Sequence, residues 1–214
     1  MQSTIDIYIP FLSGSRTDEL RYCLRSIQQY LTNVGNIYVI STGIFPEFNI
    51  PVIQHKDIDS PGRKEWNVID KIRNCASGRF LFMNDDHYLL QQYNALEFPN
   101  YYSGTIFSKI QEVGNNNPYK HTLRSTARLI GQYAPYYDIH CPMIMDMDII
   151  KDIWLANINY GFCWKTVYAN AAGIEGIEMK DSKGTIRAPW FSTNEKVNLN
   201  ELEQLYPLKS KYEL

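Results

Sequence analysis

The first ninety residues alternate between short apolar runs and amphipathic stretches. The apolar runs are rich in Ile, Val and aromatic residues, which is typical of strands buried in a parallel sheet. The predicted strands are Ile5–Phe11, Ile37–Thr42, a short one at residues 51–55, and Arg79–Met83.

Between these runs, apolar residues recur every three or four positions, which is the period of an amphipathic helix. The first such stripe consists of Leu20, Cys23, Leu24, Ile27 and Leu31, and Ser15, Thr17 and Asp18 before it can cap a helix. The second consists of Trp66, Ile69, Ile72 and Ala76, and Ser77–Gly78 end it. The order β-α-β-β-α-β with short connections predicts an α/β, Rossmann-like fold with a mostly parallel central sheet flanked by helices.

Periodic patterns are weaker after residue 90. The segment 113–118 has the composition of a loop, and the segment 122–130 predicts a short amphipathic helix. Leu199, Leu202 and Leu205 predict a C-terminal helix that ends before Pro207.

Composition and charge narrow the classes of partner. The 214-residue chain has a formal net charge of −2 and a pI near 6.1, so it has no global cationic field for nucleic acid or a membrane surface. Its four cysteines are widely spaced, and its first residues lack the basic segment of a signal peptide. No apolar run approaches the ~18 residues of a membrane span. We therefore expect a cytoplasmic protein without a transmembrane segment, for which nucleic acid is a disfavoured partner.

Two adjacent carboxylates, Asp85 and Asp86, follow the predicted strand Arg79–Met83. In parallel α/β sheets, ligands bind beyond the carboxyl ends of the strands. Neighbouring carboxylates repel each other unless a cation compensates, and their hard oxygens suit Mg²⁺ or Mn²⁺ bound together with substrate phosphates. We therefore predict a divalent-metal site at this turn; the alternative is a strand end with two solvated acids. A Gly-x-Gly-x-x-Gly fingerprint is missing, which disfavours a nicotinamide or flavin dinucleotide.

Several blocks together resemble one class of enzyme. The blocks are IPFLSGS, ELRYCLRSIQQYLTNVGNIYVIS, RFLFMNDDHYLL, YYDIHCPMIMD, WFSTNEK and LEQLYPLKSKYE. In this order they resemble the nucleotide-sugar-dependent transferases of GT-A type, and more particularly the Stealth group of capsule sugar-phosphate transferases and related small phage or bacterial glycosyltransferases. The resemblance runs from about residue 5 to the C-terminus, except for residues 91–135. The sequence departs from the Stealth pattern at Arg16, which stands where that group has an acid. This departure bears on the phosphotransferase chemistry more than on the fold.

The resemblance implies a GT-A fold in a single domain, 1–214. Residues 1–90 would be the nucleotide-sugar-binding half, and residues 91–214 the acceptor-binding half with the C-terminal helix. The implied donor-binding residues are Pro10, Phe11, Ser13, Arg16, Lys64, Asn67 and Asn194. Phe11 would lie against the base and Arg16 near a phosphate. A solvated loop arginine, and surface positions for Lys64 and Asn67, are the alternatives.

The same resemblance implies a metal and catalytic set. Asp86 would be the principal metal ligand, Asp85 a second carboxylate or a partner of a sugar hydroxyl, and His140 a further ligand. Asp138, two residues before His140, would share its side of a strand and either orient the ring or deprotonate the acceptor hydroxyl. A purely structural histidine is the alternative.

The predicted function is transfer of a sugar from a nucleotide diphosphate sugar to a hydroxyl of a glycan or other acceptor, with Mn²⁺ or Mg²⁺ as cofactor. Three alternatives stay open. They are transfer of sugar-1-phosphate as in the Stealth group, glycosylation of modified bases in viral DNA, and a non-catalytic module that binds nucleotide sugar.

Overall fold

The computed structural model describes residues 3–12, 15–58, 64–157, 161–187, 189–193 and 199–214, with the backbone alone at 64 and 155–157. Among these residues the strands are β1 Ile5–Pro10, β2 Leu31–Thr32, β3 Val34–Ser41, β4 Val52–Gln54, β5 Arg79–Phe82, β6 His87–Leu89, β7 Tyr93–Asn94, β8 Tyr101–Tyr102, β9 Met143–Asp146, β10 Ile177–Glu178 and β11 Trp190–Ser192. The helices are α1 Thr17–Tyr30, α2 Lys64–Cys75, α3 Ile106–Glu112, α4 Tyr119–Ile130, α5 Met147–Asn157, α6 Trp164–Ala171 and α7 Leu199–Leu205, with a 3-10 turn at Ala95–Glu97.

The chain separates into two compact units. The first comprises Met1–Phe98, His140–Asp146 and Ser182–Leu214, and the second comprises Pro99–Ile139 and Met147–Asp181. The first unit therefore contains the large sheet, and the second contains α3 to α6.

The sheet of the first unit has the strand order β4-β3-β1-β5-β9. The first four strands run parallel, and β9 is added antiparallel at the edge, with Phe82 opposite Met143. Residues of β1, β3 and β5 such as Ile7, Val39 and Leu81 are fully buried, as expected for strands covered on both faces. The predicted α/β, Rossmann-like class with a mostly parallel central sheet is confirmed.

Helices α1 and α2 carry the apolar faces that the sequence predicts. Leu20, Leu24 and Ile27 of α1 are buried, and α2 packs on β1 and β3. The start of α1 differs from the prediction, because Arg16 occupies the N-cap position and no side chain caps the helix. Gly78 adopts φ +59°, a left-handed conformation that turns the chain from α2 into β5.

In the second unit, α4 packs on α3 and α6, α6 packs on α5, and β8 pairs with β10. Tyr137 is buried and donates a hydrogen bond to the Ile174 carbonyl, 2.8 Å away. Gly176 lies so close that a Cβ added there would be 2.8 Å from the Tyr137 ring, so this position requires glycine. The predicted helix at 122–130 forms the greater part of α4.

None of the helices within the described residues is long and apolar enough to cross a bilayer.

Candidate functional site

The acidic pair lies in a tight turn between β5 and β6. The His87 N–H donates to the Asn84 carbonyl (3.2 Å), and the Asn84 N–H donates to Nδ1 of His87 (3.1 Å). These two bonds close the turn and hold Asp85 and Asp86, both half-buried, at the carboxyl end of β5. Because β5 ends at Phe82, the two carboxylates lie beyond the strand, in the turn itself. They lie at the edge of the sheet where Rossmann-like folds bind ligands.

Strand β11 supports this turn from a distant part of the sequence. Ser192 pairs with His87 across the β11–β6 ladder, and its Oγ donates to Oδ2 of Asp86 at 2.6 Å. The neighbouring Thr193 donates through Oγ1 to Oε1 of Glu19 in α1 at 2.7 Å. Ser192 therefore fixes the orientation of the Asp86 carboxylate.

Cys23 of α1 lies against the turn that carries the two carboxylates. Its thiol contacts the Asn84 carbonyl at 3.5 Å. Burial, followed by the charges of Asp85 and Asp86, raises the pKa of the Cys23 thiol well above its ordinary value. Cys23 therefore stays protonated, and the carboxylates create a potential that favours a cation.

A basic pair lies next to Ser192 in the same unit. The backbone of Lys183 forms an isolated parallel β-bridge with that of Ser192. Its side-chain Nζ is 3.0 Å from Nε2 of His140. The backbone of His140 is held in turn by the indole of Trp190, which donates to the His140 carbonyl at 2.8 Å. Ser192 thus contacts the Asp86 carboxylate through its hydroxyl and pairs with Lys183 through its backbone.

Two carboxylates fit a magnesium-type site better than a closed protein cage. Within the described parts of the chain, no three His, Cys, Asp or Glu side chains gather closely enough to hold a metal ion. Asp85, Asp86 and His140 therefore do not form a three-ligand cluster. Mg²⁺ is commonly held by one or two carboxylates, with waters and substrate phosphates as the remaining ligands, and Asp85 and Asp86 are suited to that arrangement.

The residues predicted to line the nucleotide pocket have varied surroundings. Pro10 is the buried end of β1, and Phe11 is 3% exposed with its ring packed edge-on against Phe45, the centroids 5.0 Å apart. The Phe11 ring thus belongs to the core. Arg16 is exposed over 64% of its side chain, and its guanidinium is 3.9 Å from Asp18. Ser13 lies outside the described residues.

Asn67 has a structural partner on the segment after β4. Its side-chain oxygen accepts from the Ile58 N–H, and its Nδ2 donates to the Ile58 carbonyl at 3.3 Å. Asn67 is buried, so both ends of its amide secure this segment against α2. The side chain of Lys64, and Asn194 as a whole, lie outside the described residues, and the predicted roles of all three at the donor stay predictions.

Asp138 belongs to the second unit and His140 to the first, and both precede β9 in irregular backbone rather than on a strand.

Oδ2 of Asp138 accepts from the Tyr119 hydroxyl at 2.9 Å, and its backbone N–H donates to Oγ1 of Thr166 at 3.0 Å. The Tyr119 hydroxyl also lies 2.6 Å from that of Tyr136, which donates to the Asp138 carbonyl. Burial, followed by the Asp138 charge, raises the pKa of Tyr119 and Tyr136 well above the ordinary value. Both phenols therefore stay protonated and hold Asp138 in one orientation.

Replacing Tyr119 with phenylalanine is expected to lower the free energy of unfolding by about 1–3 kcal/mol, because Asp138 and Tyr136 lose a buried partner. The measurement is urea denaturation of both forms. Tyr133→Phe is the control, because it removes a hydroxyl from an exposed tyrosine. It is expected to change stability by less than about 0.5 kcal/mol. Equal effects of the two substitutions would contradict the role of this network.

Sequence reasoning missed three residues with clear contacts, namely Ser192, Lys183 and Tyr119. Ser192 stands in the WFSTNEK block used for the resemblance, so its position directly before Thr193 and Asn194 was a usable signal. Lys183 and Tyr119 carried no local signal, because their partners lie 43 and 19 residues away.

No protein-family model matches the chain, and no curated protein matches it either. Among solved structures, 108 chains are similar to it. One of them is the inositol-1-phosphate CTP transferase from T. maritima, with a TM-score of 0.52, 10% identity and 95% of each chain covered. At this level of identity, the similarity shows a common Rossmann-like fold over nearly the whole chain.

Proposed function

We propose that this protein is a divalent-metal-dependent transferase that takes a sugar from a nucleotide diphosphate sugar and attaches it to a hydroxyl acceptor. The observation that carries the proposal is the turn with Asp85 and Asp86 at the carboxyl end of β5, beside β1 in the parallel sheet. The likeness to a CTP transferase supports a nucleotide-type substrate by fold analogy.

Asp86, with Asp85, would hold Mg²⁺ or Mn²⁺, which supplies positive charge to the diphosphate of the leaving nucleotide. Ser192 occupies one oxygen of Asp86, so the carboxylate is oriented before the ion binds. In the transfer, the acceptor oxygen forms a bond to the sugar carbon and the bond from that carbon to the diphosphate breaks. The electron pair leaves with the nucleoside diphosphate, and the acceptor proton passes to a base.

A second candidate is nucleotidyl transfer, which the similarity to the CTP transferase favours. Here a phosphate oxygen of the acceptor bonds to the α-phosphorus of a nucleoside triphosphate, and pyrophosphate leaves. The same two carboxylates would serve, since this leaving group is also an anionic diphosphate. Transfer of sugar-1-phosphate, as in the Stealth group, differs from both reactions in the bond that breaks.

The test is a product assay with purified protein, Mn²⁺ or Mg²⁺, and panels of nucleotide sugars and of nucleoside triphosphates with sugar phosphates. Asp86→Asn is expected to reduce metal-dependent product release by about 100-fold or more, because the charge that holds the ion is lost. Asp148→Asn makes the same change at a highly exposed carboxylate and is expected to leave the rate unchanged.

The released product identifies the reaction. Nucleoside diphosphate indicates glycosyl transfer, nucleoside monophosphate indicates sugar-phosphate transfer, and pyrophosphate indicates nucleotidyl transfer. If no donor yields a product that requires both metal and Asp86, the transferase proposal is wrong.

A further inference from the structure

Helix α4 of the second unit carries a row of basic side chains. His121, Arg124 and Arg128 are exposed, and their spacings of three and four residues place them on one side of the helix. With a rise of ~1.5 Å per residue, this basic row extends over roughly 10 Å. Residues 113–137 contain no Asp or Glu, although the whole chain has 23 of them. The basic row therefore lies in a segment without negative charge.

The row is not neutralised within the described part of the chain. None of its three side chains forms an ion pair or a hydrogen bond there. Glu112, the acid of the neighbouring α3, pairs with Lys109 at 2.9 Å. Lys120 differs from the row, because it is buried and donates to the Val113 carbonyl at 3.0 Å and to Asn115 at 2.8 Å. The row, unlike Lys120, is available to a partner.

The basic row does not stabilise the helix that carries it. Arg124 and Arg128 are about one turn apart, and like charges at this spacing repel each other. His121 lies in the first turn of α4, where the helix dipole favours an acid. A partner that supplies negative charge would relieve this repulsion.

An exposed aromatic pair lies at the C-terminal end of α4. Tyr133 is 71% exposed and Phe107 is 41% exposed, and their ring centroids are 5.9 Å apart. The Phe107 N–H donates to the Gln132 carbonyl at 2.8 Å, and the Gly131 N–H donates to the Ala127 carbonyl of α4 at 2.9 Å. These bonds hold the backbone of both rings at the end of the helix, which lowers the entropic cost of binding a ligand there.

Three classes of anionic partner can be compared on these features. A bilayer is disfavoured because the apolar side of α4, with Leu123 fully buried, is covered by α3 and α6, and a helix that lies in the membrane interface needs that side free. Nucleic acid is disfavoured because the row offers only two guanidinium groups in a chain of net charge −2, whereas nucleic-acid binding commonly uses about 6–10 phosphate contacts. A charged polysaccharide matches both features. Its acidic groups pair with guanidinium forks, and the C–H faces of its sugar rings pack on exposed aromatic rings.

We propose that the basic row of α4 and the Phe107–Tyr133 pair form a binding surface for a polysaccharide that carries carboxylate or phosphate groups. Arg124 and Arg128 bind the acidic groups, and the two aromatic rings pack on a sugar ring. All of these residues belong to the second unit, so the inference goes beyond the proposed function and does not depend on the reaction at the Asp86 turn.

The test is isothermal titration calorimetry of the full-length protein with oligogalacturonate, phosphorylated dextran and neutral dextran. The wild-type protein is expected to bind at least one of the two charged glycans more tightly than neutral dextran, and less tightly as the salt concentration rises. Joint replacement of Arg124→Gln and Arg128→Gln is expected to weaken this binding about tenfold, because two solvent-exposed ion pairs are lost.

The matched control is the joint replacement of Lys151→Gln and Lys180→Gln. It makes the same change in net charge at two exposed lysines of the same unit outside α4, and it is expected to leave the affinity unchanged. Arg124→Lys with Arg128→Lys retains the charge and is expected to retain part of the affinity. Tyr133→Ala is expected to weaken binding several-fold without changing its dependence on salt.

The outcomes decide the inference whichever reaction the protein catalyses. Equal affinities of the wild-type protein and the double arginine-to-glutamine variant overturn it, and so does absence of binding to both charged glycans. An equal loss in the double lysine variant also overturns it, because the effect would then reflect overall charge. Tighter binding to duplex DNA or to vesicles of anionic phospholipid than to either charged glycan overturns the choice of partner. The double arginine-to-glutamine variant is expected to unfold at no lower temperature than the wild type, which separates lost binding from lost folding.

Discussion

Replacing Arg25 with methionine is expected to lower the free energy of unfolding by about 3 kcal/mol. Arg25 projects from α1 with only 7% of its side chain exposed, and its Nε and second terminal nitrogen donate to both oxygens of Glu213 at 2.8 and 2.9 Å. Its remaining terminal nitrogen donates to Glu203 and to the Tyr206 carbonyl, both at 2.8 Å. One guanidinium thus secures the C-terminal segment to α1. Methionine preserves much of the volume but removes the bidentate partner of the Glu213 carboxylate, which is 5% exposed and keeps the longer contact to Nε of Arg21 at 3.5 Å.

The measurement is denaturant unfolding at neutral pH, with Glu203→Gln as the matched control. Glu203 also pairs with Arg25, but 53% of its side chain is exposed, so this change is expected to cost less than about 1 kcal/mol. A loss in Arg25→Met no larger than in Glu203→Gln would show that the buried ion pair contributes little.

The pH dependence of stability provides a second measurement of the same contact. Burial raises the pKa of Glu213, but hydrogen bonds and charge from Arg25, together with the Ser210 N–H, bring it below its ordinary value of 4.5. A depressed folded-state pKa stabilises the protein above the unfolded value, and this contribution is lost as the pH falls through the folded-state pKa. The stability difference between wild type and Glu213→Gln should therefore shrink as the pH falls below about 4.5. A constant difference would contradict this assignment.

Strands β1, β3, β4 and β5 and helices α1 and α2 of the first unit were predictable because each is encoded in a local period. The predicted strands Ile5–Phe11 and Arg79–Met83 correspond to β1 Ile5–Pro10 and β5 Arg79–Phe82, each one residue shorter. Strand β9 was not predicted, because its partner β5 lies some sixty residues earlier and the short apolar run Met143–Asp146 leads directly into a helix. A short apolar run does not reveal which edge of a sheet it joins.

The candidate site, like the fold, was predictable from the sequence only in part. The position of Asp85 and Asp86 at a strand end followed from the apolar run before them, so the sequence was sufficient. The surroundings of Phe11 depend on Phe45, which comes from the chain after β3, and the partner of Asp86 is 106 residues away in β11. Such contacts arise from tertiary packing, which local patterns do not encode.

An ion pair between Lys71 and Asp57 joins α2 to the segment after β4. We expect removal of the acid to cost more stability than removal of the lysine. Lys71 of α2 has 1% of its side chain exposed and pairs with Asp57, which is 26% exposed. Two further contacts, Asn67 with Ile58 and Asp70 with His55, join the same helix to this segment. Asp57→Asn leaves an ammonium in the core without its counter-ion and is expected to cost about 3 kcal/mol.

Lys71→Met is expected to cost less, about 1 kcal/mol, because methionine fills the buried volume while water still reaches the remaining Asp57 carboxylate. The double substitution should then be close to Lys71→Met alone, since Asp57→Asn costs stability only while the lysine is present. Denaturant unfolding of the four proteins gives this cycle. Lys151→Met, from the exposed pair with Asp148, is the control and is expected to change stability by about 0.5 kcal/mol or less. The expectation is contradicted if Asp57→Asn and Lys71→Met lose the same stability and the two losses add up in the double variant. The two side chains would then act independently, and the segment after β4 would be secured by its backbone contacts to Asn67.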